Sequence, residues 1–282
     1  MLNRIGPCEY RDCRWLRVWI PFLKSVPLWF CLLGCFVVPL DHPRPFPPTT
    51  LPRTRSLDSL IVSEIVDPRS LDVSLHWKDD SGKILGSLAA LKSHLESSGK
   101  SLALAMNGGM FDTGFTSHGL FVQEGSVIHP LDTSAGEGNF YLEPNGIFLI
   151  DTSGRARITP TDNFRDSGQV RYATQSGPML VIDSAIHPAF IAGSKNLNIR
   201  NGVGILSDGR LLFAISRTEI NFHDFATFFL RHGCANALFL DGFVSRAYMP
   251  SKNWIQTDGE FGVMIGVTKG TDLEKAPSHH AR

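Results

Sequence analysis

Two stretches of the chain read alike: Gly99-Lys100-Ser101-Leu102-Ala103-Leu104-Ala105-Met106-Asn107-Gly108 and Gly233-Cys234-Ala235-Asn236-Ala237-Leu238-Phe239-Leu240-Asp241-Gly242. Each opens on a glycine, runs through a short apolar segment and closes on a polar residue followed by glycine. One and the same offset separates Gly99 from Gly233 and Asn107 from Asp241. A helical pattern precedes each stretch. Leu88, Leu91 and Leu95 share one helix face before Gly99, and Phe222, Phe225, Phe228 and Phe229 do so before Gly233. Gly99 and Gly233 stand where a helix stops on a left-handed residue, and Asn221 stands where one is capped. Under the same offset Leu91 falls on Phe225 and Leu95 on Phe229. The chain therefore carries a pseudo-duplicated helix–strand unit, and the aromatic stripe belongs to the core.

Outward from this unit the pattern is mostly strand. Leu71, Val73, Leu75 and Trp77 alternate with polar residues, the period-two signature of a half-buried strand. Residues 147–151 and 202–206 enter turns at Ser153-Gly154 and Asp208-Gly209, and 211–216 returns. A shorter echo links Asn145-Gly146 and Gly154-Arg155 to Asn201-Gly202 and Gly209-Arg210. These elements predict an α+β domain over 57–267, a mixed β-sheet core with a few packed helices. Residues 268–282 read as a polar, disordered tail.

The ends and the composition bound the function. Lys+Arg and Asp+Glu balance at 27 each, and residues 1–40 hold five basic and two acidic ones. The remainder then carries a net charge of −3, which argues against a nucleic-acid surface. Arg4, Arg11, Arg14, Arg17 and Lys24 precede an apolar run over 26–40, shorter than the ~20 residues a spanning helix needs. This reads as an export signal or membrane anchor, and it restricts membrane contact to that segment. The expected location is exported, periplasmic or membrane-anchored. Leu32-Leu33-Gly34-Cys35 resembles a lipobox, which would place a lipid on Cys35. Prolines at 43, 45, 47, 48 and 52 make 41–56 a stiff linker. Four of five cysteines lie in the leader, leaving Cys234 unpaired in the body and more readily packed than reactive.

Chemistry is expected where the two repeated strands end, because open sheets place ligands beyond the carboxyl ends of strands. Side by side, the two units would turn Asn107 and Asp241 into one cleft, with glycines that let a backbone approach a ligand. The same Asn-Gly and Asp-Gly pairs also read as plain tight turns. His118, His129, His187, His223 and His232 are scattered, with no HExxH pair and no metal-ligand spacing. No cofactor is required, and a divalent cation is compatible but not implied.

Four segments in order, Ala105-Met106-Asn107-Gly108-Gly109-Met110-Phe111-Asp112, Gln175-Ser176-Gly177-Pro178-Met179-Leu180-Val181, Arg200-Asn201-Gly202-Val203-Gly204 and Leu238-Phe239-Leu240-Asp241-Gly242, together resemble the phosphodiester glycosidase family, in particular its short exported bacterial members. The resemblance spans about Leu57 to Val267. It implies a site built from Asn107, Asp112, Gly177, Arg200 and Asp241, acting on a phosphorylated or phosphodiester-linked glycan. Cleavage of a sugar C1–O–phosphate bond passes through an oxocarbenium-like state that a carboxylate stabilises, attacks or serves by activating water. Asp241 is then the nucleophile or base, and Asp112 the second carboxylate, acid or loop cap. Arg200 is expected to fork phosphate oxygens. Asn107 would hydrogen-bond a sugar hydroxyl or phosphate oxygen, Gly108, Gly109 and Gly177 would offer backbone donors, and Ser176, Gly242 and Ser245 would lie against the substrate. One departure stands out: Phe243 follows Asp241-Gly242 where the family commonly has glycine, which narrows the turn. The rival readings are a non-catalytic envelope protein that binds a phosphorylated glycan and a phosphodiesterase that cuts P–O.

Overall fold

The computed structural model describes residues 56–269. The leader over 1–40, the linker up to residue 55 and the tail beyond Lys269 lie outside the described residues. Two ten-residue α-helices are present among the described residues, α1 (Leu88–Ser97) and α2 (Phe222–Arg231). Ser87 Oγ accepts the Ala90 N–H at 3.2 Å and Asn221 Oδ1 accepts the Asp224 N–H at 2.8 Å. Each cap satisfies a backbone donor that the first turn leaves without a partner. Gly99 and Gly233 end the helices at φ of +76° and +82°, where a side chain would be strained. Helix starts, helix ends, caps and glycines all keep the offset seen in the sequence, so the duplication is structural.

The strands form three sheets. The first runs in the order Ile61–Val66, Leu211–Ser216, Asn201–Leu206, Cys234–Phe239, Met179–Ile182, Ala185–Ile186. The second runs Trp254–Ile255, Ala247–Met249, Ser101–Asn107, Met264–Lys269, Leu71–His76. The third runs Ser126–His129, Phe121–Gln123, Val170–Ser176, Gly146–Asp151, Ala156–Pro160. Every ladder among the described residues is antiparallel, which corrects the mixed sheet expected from the sequence. Parallel neighbours need long crossovers, usually helical. Here each of the two helices returns the chain into a strand that runs against its neighbours. The Met264–Lys269 strand also continues past Val267, pairing Thr268 and Lys269 with Asp72 and Leu71.

Side-chain alternation then sorts the core. In Leu211–Ser216, residues Leu211, Phe213 and Ile215 face one way and Leu212 and Ala214 the other, and all five are buried. The first set meets Leu104, Met106 and Ile265 of the second sheet and Phe121, Phe148 and Tyr172 of the third. All three sheets therefore converge on one core. The second set packs beneath α2 with Phe225 and Phe229, while α1 covers the second sheet through Leu88, Leu91 and Leu95. Cys234 is buried under α2, and a Cβ on Gly204 would stand 2.6 Å from its sulfur. Burial pushes its thiol up to about 12, so it stays protonated and inert.

Candidate active site

The two repeated strands end in different sheets, and one side chain joins their ends. Asn201 is fully buried. Its Oδ1 accepts the Asp241 N–H at 3.1 Å, and its Nδ2 donates to the Asn107 carbonyl at 3.1 Å and to Asn107 Oδ1 at 2.9 Å. Asn107 Oδ1 also accepts the Arg246 N–H at 3.0 Å. Because backbone N–H groups only donate, both amide orientations are fixed by these contacts. Asn107 Nδ2 is left buried without a partner. Ser176 Oγ donates to the Leu240 carbonyl at 2.7 Å, and Ser245 Oγ donates to the Asp241 carbonyl. The Asp241 carboxylate accepts the Phe243 N–H at 3.0 Å.

Above this frame opens a cleft of about 520 Å³, lined by Asp112, Asp241 and Glu260 together with Met110, Phe111, Phe115, Phe243 and Val244, among others. Phe111 and Phe115 stack with ring centroids 5.6 Å apart, and Phe243 is 96% exposed at the rim. Among the described residues, no Lys or Arg lines the cleft. Two other clefts have comparable volumes, about 490 Å³ beside Arg157 and Arg165 and about 690 Å³ beside Arg69 and Arg155. Neither of those brings two carboxylates together. Burial of Asp241 raises its carboxyl from the ordinary 3.8 to about 6.

Of the expected site residues, the structure brings Asp112 and Asp241 to one cleft. Asn107, Ser176 and Ser245 lie buried beneath it and hold its floor. Gly108 spends its N–H on the Val263 carbonyl at 2.8 Å, and Cβ atoms on Gly109 and Gly242 would meet Thr174 Oγ1 at 2.6 Å and the Phe239 ring at 2.8 Å. A Cβ on Gly177 would stand 2.6 Å from the Phe140 carbonyl oxygen and 2.7 Å from Asn145 Cβ. Gly177→Ala is therefore expected to cost about 1–3 kcal/mol, read as a lower urea midpoint at unchanged slope. An unchanged midpoint would mean that this contact yields freely.

Arg200 is not brought to the cleft. The residue is 1% exposed, and its guanidinium lies 3.5 Å from the Phe222 ring centroid and donates through Nε to the Ile220 carbonyl and through Nη2 to the Asn196 carbonyl. The cause is strand parity. Asn201 and Val203 face the shared core, so Arg200, Gly202 and Gly204 face α2. Burial without an acidic partner lowers the Arg200 pKa to about 10. The residue of that motif that turns toward the floor of the cleft is Asn201, which the sequence marked through this motif and through the Asn145-Gly146 echo.

A second contact had no signal in the sequence. His118 Nδ1 lies 2.7 Å from Asp112 Oδ1, and His118 Nε2 lies 2.9 Å from the Tyr141 hydroxyl. Tyr141 donates in turn to Asp132 Oδ2 at 3.2 Å. These partners come from separate loop positions on either side of His118, at spacings that belong to no helix or strand period.

Glycosidic-bond cleavage commonly uses a pair of carboxylates, and Asp112, Asp241 and Glu260 line one cleft here. The chain matches the phosphodiester glycosidase family over residues 100–268, and it belongs to that family. It is 32% identical over 228 residues to the uncharacterized protein YigE of Escherichia coli (strain K12), covering 80% of this chain and 85% of the relative. Among solved structures, it is similar to the zebrafish N-acetylglucosamine-1-phosphodiester alpha-N-acetylglucosaminidase catalytic domain auto-inhibited by its pro-peptide. That likeness has a TM-score of 0.48 and 14% identity, over 75% of this chain and 89% of that one. A Burkholderia pseudomallei K96243 protein shares the fold at a TM-score of 0.50 and 12% identity, over 73% of each chain.

Proposed function

We propose that this chain hydrolyses a glycosyl phosphodiester between the sugar C1 and the phosphate oxygen. The observation that carries this reading is the cleft that Asp112 and Asp241, far apart in sequence, both line, with Asn107, Ser176 and Ser245 buried beneath it. Asp241 acts at C1 as nucleophile or water-activating base, for which it must be ionised. The sugar lies among the carboxylates, where its hydroxyls find acceptors and its apolar faces find the Phe111–Phe115 stack. The phosphate lies toward the mouth of the same cleft. The basic and apolar leader fits a substrate met outside the cytoplasm.

Release of free sugar from a panel of sugar-1-phosphodiesters by the full chain, run in ¹⁸O-labelled water, tests the reading. Label in the sugar is the expected result. Label in the phosphate would move the reaction to P–O cleavage. No release, with binding of the same compounds unchanged in Asp241→Asn, would make the protein a glycan-binding module.

A further inference from the structure

We propose that His118 is the positioning residue that keeps a proton on the Asp112–His118 pair, so that Asp112 serves as the acid of the reaction proposed above. The inference rests on that reading for its chemical step, and on hydrogen-bond geometry for the proton itself. His118 stands between two carboxylates. Its ring is held edge-on by Phe140 at 4.3 Å and Tyr141 at 5.4 Å between centroids. Asp132 accepts hydrogen bonds from the Ser134 hydroxyl at 2.6 Å and the Ser134 N–H at 2.8 Å, which hold it as a carboxylate, an acceptor only. The one hydroxyl proton of Tyr141 goes to Asp132, so the Tyr141 oxygen accepts from His118 and Nε2 carries a hydrogen. Nδ1 and Asp112 Oδ1, in hydrogen-bond contact, need a hydrogen between them as well. The pair thus holds one proton more than a neutral imidazole beside a carboxylate, whichever atom it rests on.

The titratable groups facing His118 are Asp112, Asp132 and Tyr141, and neither carboxylate pairs with a Lys or Arg among the described residues. The cleft gives that proton a use. When the C1–O bond breaks, its electron pair goes to the phosphate oxygen, and the departing group gains a second negative charge in a cleft lined by three carboxylates and no basic side chain among the described residues. Transfer of the Asp112–His118 proton to that oxygen prevents the charge from building up. Water adds its oxygen to C1, and a proton from that water restores the pair. The proton answers electrostatic repulsion, because a phosphate leaving group is itself only weakly basic.

Long-range ¹⁵N–¹H NMR of the labelled full chain at neutral pH reads which His118 nitrogen bears hydrogen, with His118→Gln for assignment. A protonated Nε2 with Nδ1 sharing a proton is the expected result, and conversion of Nδ1 to a bare acceptor in Asp112→Asn confirms its partner. A bare Nε2, meaning that Tyr141 donates to the ring instead, overturns the proposal whether or not sugar is released. Where wild type releases sugar, His118→Gln is expected to lower kcat about 100-fold with little change in KM. A variant with wild-type kcat, folded by circular dichroism, would equally overturn it. Failure of all substrates would sink the proposed reaction and leave the proton placement to the NMR result.

Discussion

Asp241→Asn is expected to abolish turnover and at the same time to stabilise the protein. The loss should be about 1,000-fold or more in kcat, since the variant has neither a nucleophile nor a base at C1. The stabilisation follows from the burial of Asp241. Its carboxyl titrates at about 6 in the fold against an ordinary 3.8. A group raised in this way contributes its stability in full below pH ~4 and loses it as the pH rises through about 6. Above that the ionised, buried carboxylate weighs against the fold by about 3 kcal/mol, at about 1.36 kcal/mol per pH unit. Asn keeps the bond from the Phe243 N–H and never ionises. At pH 8 the variant should melt roughly 5–10 °C above wild type, and at pH 4 at the same temperature. Wild-type activity should rise with pH through about 6. Equal melting temperatures at pH 8 would mean that Asp241 is solvated and carries no such penalty.

Asn201→Ala is expected to lower both stability and activity, although Asn201 does not line the cleft. The truncation leaves the Asp241 N–H and the Asn107 carbonyl each short of a partner, and Asn107 Oδ1 with the Arg246 N–H alone. At about 1–3 kcal/mol for each group left unsatisfied, the cost is about 2 kcal/mol or more. The Asp241 backbone loses its tether to the Asn107 strand. A shift on the order of 1 Å in a reacting group can cost about 100-fold in rate, so kcat measured well below the melting transition should fall by about that factor. Wild-type kcat and stability in this variant would mean that the two strand ends hold their positions without it.

The elements legible in the sequence were those written locally. Caps, stop glycines and apolar spacing placed both helices and their following strands, and the echo between the two units named Asn107 and Asp241 as the matching turns. Strand pairing was not legible, because Ser101–Asn107 lies beside Met264–Lys269 and Ala247–Met249, partners that no local pattern announces. The motif around residue 200 could not show which of its side chains faces the cleft floor: one step along a strand reverses its face, and Asn201 rather than Arg200 turns toward Asn107 and Asp241. The His118 contacts were invisible for a similar reason, since loop folding alone brings Asp112, Asp132 and Tyr141 around one imidazole.

The order of strands in the second sheet governs when this molecule can exist. The Met264–Lys269 strand sits between Ser101–Asn107 and Leu71–His76, so two early strands wait for one of the last described segments of the chain. Ile61–Val66 likewise waits for Leu211–Ser216. Such distant pairing slows folding, because the entropy of closing long loops is lost before any contact repays it. During synthesis the early strands are therefore exposed as unpaired edges, open to aggregation or to a chaperone. The cleft between Asp112 and Asp241 belongs to the completed chain and is among the last features it makes.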